Sequence, residues 1–147
     1  MLTPFLLRLS EHVHGHLGWL STLALLHPAL LLRKRMRRSL LATSLATGLV
    51  TLTGVLGVLL YPPYRQLVKP GIFRASLAFG NAFERKEHLA VGVVVLAWVG
   101  LVAHFAECSR DSDAGSTRVS FVAYASAAAL AVLTGVFGVA VAAFSSF

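Results

Sequence analysis

The sequence predicts an all-α integral membrane protein, a four-helix bundle built from two related helical hairpins. Of its 147 residues, 56% are hydrophobic and only 13% are charged, whereas soluble domains carry about 25% charged residues. The apolar residues also fall into four long blocks, which composition alone does not require. These blocks are Val13 to Leu32, Ser39 to Tyr64, His88 to Ala106 and Val119 to Phe147.

Each block is about 20 residues or longer, enough for a helix to cross a hydrocarbon core of roughly 30 Å. Helices are expected because lipid offers no hydrogen-bonding partners to exposed backbone groups. We therefore predict one membrane domain, in which a first hairpin covers about residues 11–61 and a second covers about 87–143. A soluble bundle of four such helices is disfavoured, because it would present little polar surface to water.

The connector over residues 62–86 is more than a plain linker. Pro62 and Pro63 predict the end of helix two, because proline cannot donate a backbone hydrogen bond. Further on, Ile72 and Phe73 stand beside Arg74, a pattern typical of a short helix lying in the membrane interface.

Charge placement predicts the orientation. Thirteen basic residues against six acidic ones give a net charge of +7. Five basic residues crowd the turn after helix one: Arg33, Lys34, Arg35, Arg37 and Arg38. Such a turn resists translocation, so we expect it in the cytoplasm of a bacterial inner membrane, with both termini outside. Basic residues in the connector favour the opposite orientation, but they lie further from the first helix. Anionic lipid, rather than nucleic acid, is the expected partner of the basic turn.

An internal repeat relates the two hairpins. The segments Leu52–Val58 and Leu133–Val139, in helices two and four, are identical at six of seven positions and share the pattern Leu-Thr-Gly-Val-x-Gly-Val. Helices one and three agree with this relation, because each begins with Glu-His and ends with His-x-Ala. The shared order indicates a duplicated hairpin, whose two copies point the same way through the membrane. The repeated glycines predict close contacts between helices.

All six histidines belong to helices one and three or their entrances: His12, His14, His16, His27, His88 and His104. Ionisable side chains are costly in membrane helices, so this pattern suggests a function. If helices one and three face each other, His12 lies level with His88, and His27 with His104. The rise per residue of a helix places the two levels roughly 22 to 24 Å apart. Paired imidazoles at two depths suit axial ligation of two b-type haems in an apolar slot.

Basic residues are available at both ends for the haem propionates. Arg33 follows helix one, whereas Arg65 and Arg85 lie in the connector on the other side. His16 is an alternative to His12, because it lies only ~20° from His27 around an ideal helix. In helix three, His88 and His104 are 16 positions apart. They share one face of the helix only if the helix contains a one-residue bulge.

With these pairs the chain resembles the transmembrane b-type cytochromes, in which a four-helix bundle holds two haems by paired histidines. The resemblance covers the hairpins from about residue 11 to 143. It implies that His12, His27, His88 and His104 are iron ligands. It also implies that the protein carries electrons, with quinone and a redox partner or a larger membrane complex as candidate partners. In such a protein the haem would carry the electron, and the chain would supply orientation and tuning.

Three other functions stay open. The alternating histidines of the first entrance suit a metal site, whereas a histidine-lined proton or ion path would use Glu11, Glu87 and Glu107. A cofactor-free anchor or assembly subunit needs the histidines only as hydrogen-bonding groups. The single cysteine, Cys108, excludes an internal disulfide and a multi-thiolate metal site. Soluble-type enzymology is not expected, because the sequence has no phosphate-binding loop, nucleophile elbow or zinc-hydrolase motif. The oligomeric state stays open.

Overall fold

The computed structural model describes residues 4–34, 40–109 and 117–143. The helices of these residues are α1 (Pro4–Arg33), α2 (Leu40–Leu67), α3 (Lys69–Ala75), α4 (Leu77–Ser109) and α5 (Thr117–Ala142). All except α3 are long and apolar enough to cross a membrane. The predicted all-α membrane bundle is confirmed, and the chain is a multi-pass membrane protein.

The four long helices form a ring. α1 packs against α2 and α5, and α4 packs against the same two helices. α1 and α4 therefore occupy opposite corners of the bundle. A two-fold axis along the membrane normal would exchange the α1–α2 hairpin with the α4–α5 hairpin, as expected for a parallel repeat.

The first glycine of each repeated motif lies where helices of different hairpins meet. A Cβ atom on Gly54 of α2 would lie 3.1 Å from the side chain of Val94 in α4. On Gly135 of α5, it would lie 3.2 Å from the Trp19 ring of α1. The first glycine of each motif thus receives a side chain from the opening helix of the other hairpin. This is the close packing that small residues permit in membrane bundles.

The interior faces of α1 and α4 follow a heptad-like spacing, with steps of three and four residues that keep side chains on one side of a helix. The buried residues of these faces are Ser21, Leu25, Pro28 and Leu32 in α1, and Val93, Ala97, Gly100 and His104 in α4. These two interior stripes decide which ionisable side chains point into the bundle.

Hydroxyl groups join the buried faces. The fully buried Tyr124 donates a hydrogen bond to the Thr43 carbonyl oxygen at 3.1 Å, and its hydroxyl lies 2.8 Å from that of Thr47. Nearer the other end of the bundle, the Ser21 and Thr53 hydroxyls are 2.8 Å apart. Buried polar groups are costly unless they are paired, so these contacts select one packing of the helices.

The connector differs from the prediction at both ends. α2 continues through Pro62 and Pro63 to Leu67, so the prediction that these prolines end the helix is wrong. A proline leaves the carbonyl four residues earlier without its helical partner, and a helix tolerates this where water reaches the freed group near the membrane surface. The predicted short helix is α3, and an extended residue, Ser76, separates it from α4. α4 then begins at Leu77, well before the expected residue 87.

α3 is fixed against the start of α4. Ile72 is buried with Phe83, and Lys69 forms an ion pair with Glu84 at 2.9 Å. The hydrogen bond to Glu84 raises the pKa of Lys69 above its ordinary value, so the amine is charged at neutral pH. The raised pKa favours the folded state below pH ~10, and this contribution is lost only as the pH rises through the pKa of the folded state.

Replacing Gly80 with valine is expected to destabilise this junction by about 1–3 kcal/mol. A Cβ atom on Gly80 would lie 2.5 Å from the Phe73 ring, so the ring and α3 would have to move. Thermal unfolding of the purified protein measures the loss. Gly71→Ala is the matched control, because nothing lies within 4 Å of its added carbon. Equal stability of the two variants would contradict the close packing of α3 on α4.

Candidate functional site

Most of the predicted haem ligands lie on the outside of the bundle. His12, His16, His27 and His88 are exposed. The Nδ1 atoms of His12 and His88 each lie 2.8 Å from a carbonyl oxygen one turn earlier in their own helix. Only His104 of the predicted iron ligands is buried, with 2% of its surface exposed.

These positions do not fit two haems held between α1 and α4. Such a haem needs two imidazoles facing each other inside the bundle. His27 is exposed whereas its predicted partner His104 is buried, and both members of the other pair are exposed. In α4 the reason is angular, because His88 and His104, 16 residues apart, lie ~160° apart around a regular helix.

The other predicted contributors are also dispersed. Arg33 and Arg65 are exposed in the last turns of α1 and α2, and Arg85 is exposed within α4. Within the described residues, no group of three or more His, Cys, Asp or Glu side chains is placed to hold a metal ion. Haem and quinone binding stay predictions, and a redox-dependent absorption spectrum of the purified protein tests the first of them.

A different set of ionisable side chains lies half-buried between the helices, at the end of the bundle where α1 begins. We call Glu11, His14, Tyr64, Lys86 and Glu87 the His14 cluster. The His14 ring lies against α2, since a Cβ atom on Gly57 would lie 3.0 Å from its Cε1. Among the described residues, His14 Nδ1 is buried without a hydrogen-bond partner. Tyr64 donates a hydrogen bond to Glu11 Oε1 at 2.9 Å, linking α2 to α1.

Lys86 brings a basic group into the same cluster from α4. The Cδ atom of Lys86 would lie 3.8 Å from a Cβ atom placed on Gly138, the second repeated glycine of α5. Its ammonium lies 5.0 Å from the centre of the Phe83 ring, within the range of a cation–π contact. Lys86 also interacts electrostatically with His14 and with the nearby carboxylates of Glu11 and Glu87. The cluster therefore brings acidic and basic groups from opposite corners of the bundle together.

A second group of ionisable side chains lies at the other end of the interior. The His104 cluster consists of His104, Glu107, Cys108 and Ser120. His104 Nδ1 lies 3.4 Å from Glu107 Oε2, and Ser120 of α5 donates a hydrogen bond to Glu107 Oε1 at 2.9 Å. Cys108 Sγ lies 3.9 Å from His104 Nε2, while the rest of Cys108 is exposed. A histidine and a carboxylate are thus joined inside this end of the bundle.

The two clusters lie near opposite ends of the bundle. Lys86 and His104 both belong to α4, and their separation of 18 positions corresponds to roughly 27 Å of helical rise. This separation approaches the thickness of a hydrocarbon core, about 30 Å. The separation of the two clusters is therefore comparable with the thickness that the bundle must cross.

The inward positions of His14 and Lys86 were not predicted from the order of the histidines. The signal that locates them is the spacing of the interior stripes. His14 precedes the buried Ser21 by seven residues, and Lys86 precedes the buried Val93 by seven. Seven residues return a helix to nearly the same face. Both side chains therefore continue the buried stripes, whereas His12, predicted as a ligand, does not.

Comparison with models of known protein families, with curated proteins and with solved structures gives no match to this chain. The two clusters and their place in the bundle are therefore the grounds for assigning a function.

Proposed function

We propose that the protein handles protons in the membrane, exchanging them at one face through the His14 cluster and at the other through the His104 cluster. The observation that supports this function is the position of two inward histidines, His14 with its unpartnered Nδ1 at one end of the interior and His104 beside Glu107 at the other. Histidine changes its charge near neutral pH, and ionisable side chains inside membrane proteins commonly mark proton relays.

The His14 cluster has the groups that proton exchange requires. His14 Nδ1 can accept a proton or pass one on, since no described side chain occupies it. Glu11 and Glu87 supply carboxylates, and the Lys86 ammonium offsets part of their negative charge. The Tyr64 hydroxyl donates a hydrogen bond to Glu11, which fixes the position of the Glu11 carboxylate within the cluster. At the opposite end, Glu107 is held in the same manner by Ser120.

Two hydroxyl pairs lie between the clusters. Ser21–Thr53 follows His14 by about 10 Å along α1, and Thr47–Tyr124 lies about 9 Å further along α2. Buried apolar side chains, among them Leu25, fill the space between the two pairs. In terms of this proposal, the structure represents a state closed to protons. In this proposal, proton passage occurs when water enters between the hydroxyl pairs.

The proposal includes an orientation. The Arg33 turn is placed in the cytoplasm of a bacterial inner membrane with both termini outside, following the concentration of basic residues beside the first helix. Arg33 and Lys34 are exposed at that end, and the rest of the basic turn, residues 35–38, lies outside the described residues. The His14 cluster then faces outside, and the His104 cluster faces the cytoplasm.

Proton flux into liposomes tests this function. The purified protein is reconstituted with a pH-sensitive dye inside, and a potassium gradient with valinomycin supplies the driving potential. We expect flux from the wild-type protein and at least a tenfold decrease in His14→Leu and Lys86→Met, because each removes an ionisable group from the same cluster. His16→Leu is the matched control, since His16 is exposed only two residues further along α1. Its flux should equal that of the wild type.

Thermal unfolding of each variant separates lost chemistry from lost structure. Wild-type flux in folded His14→Leu and Lys86→Met variants would contradict the proposed role of the cluster. A wild-type protein that unfolds cooperatively but carries no protons would contradict the proposed function and favour one of the other functions, such as a cofactor-free anchor or assembly subunit.

A further inference from the structure

A groove opens on the outer surface between α1 and α5, at the end where α1 finishes. It encloses a cavity of about 300 Å³. Leu26 and Leu30 form its wall on α1, and Phe121 and Val132 mark its two ends on α5. Arg33 is the one charged residue among the described side chains that line it. The groove is thus apolar along its length and basic at its mouth.

Alanines account for the depth of this groove. Ala125 and Ala129 of α5 lie between bulkier neighbours, and both line the cavity. Ala129 is exposed, so no described helix of the chain covers this part of α5. Small residues usually let a neighbouring helix approach closely. Here they leave a channel that faces the hydrocarbon of the bilayer.

The length of the groove matches one leaflet. Phe121 and Val132 are eleven residues apart, which corresponds to about 16 Å along α5. A whole hydrocarbon core is roughly 30 Å thick, so the groove runs from one membrane surface to about the midplane. A lipid acyl chain anchored at that surface covers the same depth.

The mouth of the groove carries the charge that a phosphate needs. The exposed Arg33 is followed by Lys34, which is also exposed. Arg118 is exposed in the first turn of α5, at the same end of the bundle because α1 and α5 run in opposite directions. Arginine binds phosphate oxygens through two parallel hydrogen bonds. Basic pockets between membrane helices on the cytoplasmic side bind anionic headgroups in this manner.

We propose that this groove is a binding site for an anionic phospholipid. One acyl chain lies on Ala125 and Ala129 between α1 and α5, and the phosphate is bound by Arg33, with Arg118 as a second donor. A transmembrane helix of a partner is a poorer occupant, because it would place its own apolar side chains against the Arg33 charge. This site does not depend on proton transfer, and it lies on the outer face rather than in either cluster.

Native mass spectrometry tests the site on the whole protein. The protein is released from micelles that contain equal amounts of phosphatidylglycerol and phosphatidylcholine with the same acyl chains. We expect the wild type to retain at least fivefold more phosphatidylglycerol. Arg33→Gln should reduce this retention at least fivefold, because it removes the phosphate donor, and Arg33→Gln with Arg118→Gln should abolish the preference. Ala129→Leu fills the groove and should reduce retention of both lipids.

Two control variants change the same residue types elsewhere. Arg85→Gln removes an exposed arginine far from the groove, and Ala106→Leu enlarges an exposed alanine on α4. Both should retain lipid as the wild type does. Equal retention of the two lipids, or unchanged phosphatidylglycerol retention in the double arginine variant, would overturn the proposal. A change of the oligomeric mass in Ala129→Leu with unchanged lipid retention would also overturn the proposal. That result would assign the groove to a second copy of the protein.

Discussion

Replacing Gly100 with alanine is expected to destabilise the bundle by about 1–3 kcal/mol. A Cβ atom at this position would lie 2.8 Å from two carbons of the Tyr124 ring, closer than such contacts occur in proteins. The ring cannot move aside freely, because its hydroxyl is bonded to the Thr43 carbonyl and lies against the Thr47 hydroxyl. The added methyl group must therefore separate α4 from α5 or break the buried hydrogen bonds.

Gly48→Ala provides the control for this substitution. Gly48 lies in the middle of α2, and nothing lies within 4 Å of a Cβ atom placed on it. Alanine has the higher helix propensity, so this variant should be unchanged or more stable by up to ~1 kcal/mol. Denaturant unfolding in mixed micelles measures both. A Gly100→Ala variant as stable as Gly48→Ala would contradict the close approach of α4 to Tyr124.

The number of membrane helices could be predicted from the sequence, because the bilayer imposes a strong constraint. A span needs about 20 apolar residues, and the blocks beginning at Val13, Ser39, His88 and Val119 meet this condition. The repeated Leu-Thr-Gly-Val-x-Gly-Val motif also indicated the parallel arrangement of the hairpins, since related segments occupy related places. Helix ends were harder to predict. Pro62 is compatible with α2 because it lies near the membrane surface, which local sequence does not reveal.

The order of the histidines along the chain could not predict how each helix is rotated about its own axis. The prediction paired His27 with His104 because both precede an alanine by two residues, but matching order does not ensure matching faces. Only the heptad-like stripes, such as Ser21 and Leu25 in α1, define the interior. Apolar residues cover both faces of a membrane helix, so hydrophobicity alone does not distinguish the lipid side from the bundle side. Small and hydroxyl-bearing residues carry that information here.

The second large effect is expected at Glu107, whose carboxylate lies between two buried groups. Ser120 is fully buried and donates its hydrogen bond to Glu107, and His104 Nδ1 lies 3.4 Å from the other carboxylate oxygen. Glu107→Leu removes the acceptor of the Ser120 hydroxyl, which should cost about 1–3 kcal/mol of the free energy of unfolding. Ser109→Ala, an exposed change in the last turn of the same helix, should stay within about 0.5 kcal/mol of the wild type.

A double variant separates the structural part of this effect from the chemical part. Glu107→Leu with Ser120→Ala removes both partners of the hydrogen bond, so the double variant should be more stable than the sum of the single losses predicts. Proton flux should nevertheless stay as low as in Glu107→Leu alone, because the ionisable group is still missing. Recovery of flux together with stability would show that Glu107 acts only in packing. Strictly additive losses of stability would contradict the Ser120–Glu107 bond. Recovered stability with lost flux would assign the Glu107 carboxylate a part in proton exchange at this face of the membrane.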